Sequence, residues 1–150
     1  RVFKIALVVH HGTKLHLMYG KEYLMLVTNI KQKEDPMGLD QRAGYSDIAV
    51  YDWRKHARLQ QFMHDKKEEK HPDDNDAFNC KKLILDEEDI IELQKLIKDE
   101  RLPFCDGGFF WGHQFQEESM KEYKKIDLKF CKDALKWIKE GKEVWYDCWW

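Results

Sequence analysis

A helix near the end of the printed sequence restricts the possible folds most. Residues 125–140 carry apolar side chains at helical spacing, and Gly141 follows them as a typical C-cap. The main apolar stripe of this predicted helix consists of Leu128, Cys131, Leu135 and Ile138. Phe130 and Trp137, seven residues apart, lie roughly opposite that stripe. A helix with two apolar faces is either sandwiched between other elements or half-exposed as a contact surface, and both interpretations stay open.

The segments before and after this helix alternate between strand and helix patterns. Residues 83–85 are apolar and suit a buried strand, and Asp86 opens a helix whose first turn is acidic. That helix should end before Leu102-Pro103, because a residue that precedes proline avoids the helical conformation. An aromatic strand is expected over residues 144–150. This order predicts an α+β fold with a mainly antiparallel sheet and about three helices in a single domain.

The first half of the sequence carries weaker patterns. Residues 1–30 read as strands of an antiparallel meander, with a helix over residues 22–29 as the competing interpretation. Residues 31–44 predict a loop, and a helix is expected somewhere between residues 46 and 67. Residues 65–76 are rich in acids and predict a solvated loop.

The balance of charge argues against several classes of function. Lysine and arginine number 26 against 28 acidic residues, which gives a formal net charge of −2. A duplex-DNA binder usually has a basic face and a high pI, so the composition disfavours duplex DNA, although it leaves room for a local basic patch. The longest apolar runs are far shorter than the roughly 20 residues of a membrane span, and no signal peptide is visible.

The four cysteines lack the spacing of a metal or redox motif. No C-x-x-C pair occurs, so neither a zinc ribbon nor a thioredoxin-like site is expected. We expect free thiols, as in a reducing cytoplasm, rather than disulfides. Cys80 is interpreted as a buried structural thiol, with a nucleophile as the alternative. We predict no cofactor and no metal site, since no Walker loop, dinucleotide fingerprint or nucleophile–base pair is recognisable.

Four segments of the sequence carry a resemblance to known proteins. They are Tyr51-Asp52-Trp53-Arg54-Lys55-His56, Phe78-Asn79-Cys80, Leu102-Pro103 with Gly108-Phe109-Phe110-Trp111-Gly112, and the helix over residues 127–141 with Val144-Trp145-Tyr146 and Trp149-Trp150. In this combination, residues 51–150 resemble a family of small tailed-phage and prophage proteins that are sometimes labelled phosphoglycerate kinase. That label does not suit this chain, which is short and has no nucleotide-kinase loop.

The resemblance has implications for organisation and setting rather than for chemistry. It implies a family-like core over residues 46–150, with residues 1–45 as an N-terminal addition of strands. It also implies a phage accessory protein that acts in the cytoplasm of the bacterial host. It supplies no catalytic residues.

Residues 53–56 form the most promising binding cluster. Trp53 offers a stacking surface, and Arg54 offers a bidentate fork. Lys55 and His56 add a cation and an imidazole, so the four together suit a phosphate or a nucleobase. The competing interpretation is a helix-entry segment with Trp53 in the core and Arg54 paired with a surface acid. Asn79 is a further candidate, which could bind a ligand or close a turn.

The tryptophans of the second half are the other candidates. Residues 109–111 predict a short aromatic strand from which Trp111 faces a ligand or partner, after a turn over residues 106–108 that could also form an anion-binding nest. Trp137 lies on the second apolar face of the last helix, and Trp149-Trp150 suits either the core or an interface. The candidate binding residues are therefore Trp53, Arg54, Lys55, His56, Asn79, Trp111, Trp137, Trp149 and Trp150.

These features favour a binding protein over an enzyme. The leading hypothesis is a non-enzymatic phage accessory protein that binds and inhibits a host protein, with a defence or transcription component as the expected target. One alternative is a protein that sequesters a small nucleotide-type signal through residues 53–56 and Asn79. Another is a structural component of the virion. No membrane partner is expected, and a homo-oligomer is left open.

Overall fold

The computed structural model describes residues 38–108 and 110–150. The strands expected over residues 1–30 lie outside this part of the chain. The described elements are β1 (Asp40–Tyr45), β2 (Ile48–Arg54), α1 (Ala57–Lys70), β3 (Leu83–Leu85), α2 (Glu87–Lys98), a 3₁₀ turn (His113–Phe115), α3 (Gln116–Lys139) and β4 (Val144–Trp149). Three helices and a four-stranded sheet confirm the predicted α+β class.

All described strand pairs are antiparallel, in the order β2-β1-β4-β3. The central position of β1 corrects the prediction of a loop over residues 31–44. The sequence does not predict this strand, because it contains the polar residue Gln41, which is fully buried, and also Gly44. The sheet thus begins ahead of residue 46, where the family-like core was expected to start.

The helix that follows Asp86 matches its prediction closely. The Asp86 carboxylate accepts from the Asp89 backbone N–H at 3.0 Å, and the Asp89 carboxylate accepts from the Asp86 N–H at 3.0 Å. This reciprocal pair is a capping box. The helix ends at Lys98, ahead of Leu102-Pro103 as expected.

The last helix also forms, but it starts nine residues earlier than predicted, at Gln116 instead of residue 125. Its end agrees with the sequence pattern: the backbone N–H groups of Gly141 and Lys142 each donate at 2.9 Å, to the carbonyls of Ile138 and Trp137. This is a Schellman motif, which needs the left-handed φ of 76° that Gly141 adopts.

The helix expected between residues 46 and 67 is confirmed: it begins at Ala57, after the edge strand β2. The loop predicted over residues 65–76 is wrong in its first part, because this helix continues to Lys70, where the Lys70 ammonium pairs with Asp86 and Asp89 across to α2. The aromatic strand expected over residues 109–111 is also wrong, since Trp111 donates its N–H to the Gly108 carbonyl at 2.9 Å in a turn.

Helix α3 is sandwiched between the sheet and α2, so both of its apolar faces are used. Phe130 packs edge to face against Tyr51 and Trp53, with ring centroids 5.5 Å away in each case. Trp137 lies 4.6 Å from the ring of Tyr45. None of the helices in the described residues is long and apolar enough to cross a membrane.

Candidate functional site

Two half-buried tryptophans meet at the end of the sheet. The rings of Trp111 and Trp150 pack edge to face, with centroids 5.5 Å apart and planes at 70°. His64 on α1 lies against Trp111 at a centroid distance of 6.1 Å. All three side chains keep part of their surface exposed. We call Trp111, Trp150 and His64 the tryptophan surface.

Asn79 fixes the position of Trp150. Its Nδ2 donates to the Trp150 carbonyl at 3.3 Å, and its Oδ1 accepts from the Trp150 N–H at 3.2 Å. The next residue, Cys80, donates its backbone N–H to the Cys148 carbonyl at 2.7 Å. The Asn79 amide is therefore engaged with the main chain after β4, and it anchors the tryptophan instead of facing a ligand.

A glycine loop fixes Trp111 from the other side. Gly108 has a φ of +97°, and a Cβ there would lie 2.6 Å from the Trp111 ring, so this position requires glycine for both conformation and space. Gly112 has a φ of +74°, and a Cβ added there would lie 2.9 Å from the Cβ of Lys55. The Phe110 carbonyl accepts from the Leu39 N–H at 2.9 Å, which ties the loop to the start of β1.

Trp149 lies on the opposite face of the sheet from the helices, because side chains alternate along a strand. The Arg42 guanidinium lies 4.5 Å from the centroid of its ring. Arg42 also makes a bidentate pair with Asp147, at 3.2 and 2.9 Å. The terminal tryptophans, expected to act together, thus belong to two different surfaces.

Trp53 and His56 point into the core, which corrects the prediction that residues 53–56 share one binding surface. Both are buried, His56 completely. Both contact the buried Asp127 carboxylate. Trp53 Nε1 donates to its Oδ1 at 2.8 Å, and His56 Nε2 lies 3.0 Å from its Oδ2. The Tyr123 ring stacks on the imidazole at 5.1 Å. The helix-entry interpretation, with Trp53 in the core, is the one that the structure supports.

A chain of buried hydrogen bonds continues from His56 into the sheet. Gln41 accepts from the His56 N–H at 2.9 Å and donates to the Tyr146 hydroxyl at 2.7 Å. That hydroxyl donates to Gln60 at 2.6 Å, and Gln60 donates to the Cys148 thiol at 3.3 Å. Burial raises the pKa of Tyr146 well above its usual value and raises that of Cys148 to about 12. The network is closed to solvent and serves to fix the core.

The two cations of residues 53–56 stay near the surface. Arg54 pairs with Asp40 at 2.7 Å, which agrees with the surface-acid interpretation. Lys55 has a left-handed φ of 55° that turns the chain from β2 toward α1. It lies beside Gly112, so it borders the glycine loop that holds Trp111.

The remaining candidates separate in the same way. Trp137 is buried against the sheet and is therefore a core residue. Cys80 is exposed, contrary to the buried thiol expected, whereas Cys105, Cys131 and Cys148 are buried. All four cysteines are free thiols in the structure.

Some surface residues are not singled out by any sequence pattern. His64 lies in a polar helix and carries no motif, and only the folded chain brings it to Trp111. Phe104, a large apolar residue, is 60 % exposed. It is held in place by its neighbour Cys105, whose backbone N–H and carbonyl both bond to the Gln116 amide.

No family model, no curated protein and no solved structure matches the sequence. The resemblance to a phage family therefore stays a prediction.

Proposed function

We propose that this protein binds another protein through the tryptophan surface, and that it is a non-enzymatic phage accessory protein which inhibits a host protein. The observation that carries the proposal is the pair of Trp111 and Trp150, packed against each other while both remain partly exposed. The phage setting and the host target rest on the resemblance in sequence.

Two rigid aromatic side chains on one surface favour protein binding. Tryptophan is enriched at the positions that dominate interface energetics. Preorganisation matters as well, because side chains that are already fixed lose little entropy on binding. Here Asn79 holds one tryptophan through two hydrogen bonds, and the Gly108 carbonyl holds the other through its bond to the Trp111 N–H.

The alternative of a sequestered nucleotide-type signal finds less support. It needs Trp53, His56 and Asn79 at one accessible site, together with the cations of residues 54 and 55. Trp53 and His56 are buried around Asp127, and the Asn79 amide is engaged with Trp150. The same burial closes the imidazole–carboxylate pair to a substrate, which favours binding over catalysis.

The test is a binding titration with the host protein that co-purifies with the untagged chain, after that protein has been identified and purified separately. We expect the Trp111→Ala and Trp150→Ala substitutions each to raise the dissociation constant by at least about 30-fold. This corresponds to a loss of about 2 kcal/mol of binding free energy, as for an interface hot-spot residue.

Trp149→Ala is the matched control, because this neighbouring tryptophan lies on the other face of the sheet. It should change the affinity by less than about threefold. Equal losses for all three variants, or no loss for Trp111→Ala and Trp150→Ala, would show that the tryptophan surface is not the contact.

A further inference from the structure

A row of lysines runs along the exposed side of α3. Its members are Lys121, Lys125, Lys129, Lys132, Lys136 and Lys139, and every one of them is exposed. At about 100° per residue they fall within a sector of about 80°, and at 1.5 Å per residue they span about 27 Å. We call these six residues the lysine stripe.

Acidic side chains do little to neutralise the stripe. Lys129 pairs with Asp133 at 3.0 Å and Lys136 with Glu140 at 3.8 Å, yet the two lysine side chains remain 67 % and 74 % exposed. Lys125, Lys132 and Lys139 have no ion-pair partner among the described residues. Neighbouring lysines three or four positions apart repel each other, so the stripe destabilises the helix.

The near-zero net charge of the chain hides this separation. Residues 121–140 hold seven lysines against four acids, whereas residues 65–92 hold eleven acids against five lysines. The protein is thus basic along the second half of α3 and acidic from the end of α1 to the first half of α2. A composition total cannot show such an arrangement, since it depends on which residues share a helix face.

The chemistry of the stripe discriminates among anionic partners. Lysine is depleted in the cores of protein interfaces, and the stripe contains no aromatic anchor. A membrane-surface helix needs an apolar face beside its cations, but the large apolar side chain exposed on α3 is Ile126. Evenly spaced ammonium groups without stacking side chains suit the phosphates of a nucleic acid, which lysine contacts as a point charge.

We propose that the lysine stripe binds the phosphate backbone of nucleic acid without sequence preference. This is separate from the protein-binding surface proposed above and does not depend on it. Because the overall charge is −2, long-range attraction is weak, and the affinity should be modest and strongly salt-dependent.

The experiment is fluorescence anisotropy of the full chain with a labelled 20-base-pair DNA duplex of mixed sequence, from 30 to 200 mM KCl. If about five phosphates are contacted, the slope of log K against log salt should be about −4.5. Neutralising Lys125, Lys132 and Lys139 to glutamine should bring that slope to about −2 and lower the affinity at 50 mM KCl at least tenfold.

The matched control replaces three exposed lysines off the stripe, Lys82, Lys95 and Lys98, with glutamine, and so changes net charge equally. This control variant should bind DNA within about threefold of the wild type. Replacing Lys125, Lys132 and Lys139 by arginine instead of glutamine should leave the affinity like that of the wild type. Circular dichroism checks that each variant is folded.

Three results would overturn the proposal. One is no binding of the wild type at 30 mM KCl, and another is an equal loss in the stripe and control variants. The third is that polyglutamate competes, or that phosphatidylserine vesicles bind the protein, as effectively per charge as unlabelled duplex does. That result would show a general anion-binding or membrane-binding surface.

Discussion

Replacing Asp127 by alanine should destabilise the protein more than any other single change to a charged residue in the described chain. Its carboxylate is 1 % exposed and accepts from two buried donors, Trp53 Nε1 at 2.8 Å and His56 Nε2 at 3.0 Å. Removing it leaves both donors buried without a partner, at about 1–3 kcal/mol each. The two losses together come to about 2–6 kcal/mol, so we expect a loss of about 4 kcal/mol.

The assay is urea unfolding followed by tryptophan fluorescence, with thermal unfolding alongside. A loss of about 4 kcal/mol corresponds to a fall in Tm of about 16 °C for a unit of this size. Asp127→Asn should cost about half as much, because its amide oxygen still accepts from Trp53 while its NH₂ group faces His56. Asp52→Ala, an exposed acid on β2, is the control and should stay within about 0.5 kcal/mol.

A double-mutant cycle separates the Trp53 contact from the rest. Trp53→Phe removes the indole donor and some buried ring volume. When Asp127 is already alanine, its effect should shrink by the hydrogen-bond part, about 1–3 kcal/mol, while the packing loss remains. If Asp127→Ala costs less than about 1 kcal/mol, or if the two effects simply add, the reasoning about this buried contact is wrong.

Two further predictions concern thiols and helix capping. Iodoacetamide at pH 8 should modify Cys80 in the native protein and spare the three buried thiols, Cys105, Cys131 and Cys148. Burial raises the pKa of all three, to about 12 for Cys131 and Cys148. Intact-mass spectrometry would show one adduct, and several adducts would contradict the burial. Asp86→Ala should cost about 1 kcal/mol of stability and Asp86→Ser much less, since serine also caps a helix. Hydrogen bonding to Lys70 lowers the pKa of Asp86, so its contribution is complete above the pKa of the unfolded chain and is lost as the pH falls through the lower folded value. The difference between wild type and Asp86→Ala in urea should therefore shrink toward pH 2, and a constant difference would refute this assignment.

The sequence predicts those elements whose local pattern and tertiary role agree. Asp86 and the acids after it start α2 by local hydrogen bonds, and Gly141 ends α3 in the same way. Strand β1 is not predicted, because its buried residue Gln41 is polar. Hydrogen bonds to His56 and Tyr146, which lie far away in the sequence, satisfy its amide. Hydrophobic periodicity cannot reveal a polar residue that is satisfied by tertiary partners.

The candidate site follows the same rule. Trp53 and His56 were grouped with Arg54 and Lys55 because they are adjacent in sequence, but alternation along β2 and the turn at Lys55 send them inward to Asp127. Trp111 and Trp150, 39 positions apart, meet only because Asn79 and the glycine loop bring them together. Residue type identified the tryptophans as candidates, and only the fold shows which of them share a surface.

The most direct test of the central claim is native mass spectrometry of the untagged protein, purified gently from bacterial cells, beside its Trp111→Ala/Trp150→Ala double variant. We predict an added mass of tens of kilodaltons on the wild type that is absent from the double variant and present on Trp149→Ala. A wild-type chain without a partner protein, or a partner that the double variant retains, would contradict binding through the tryptophan surface.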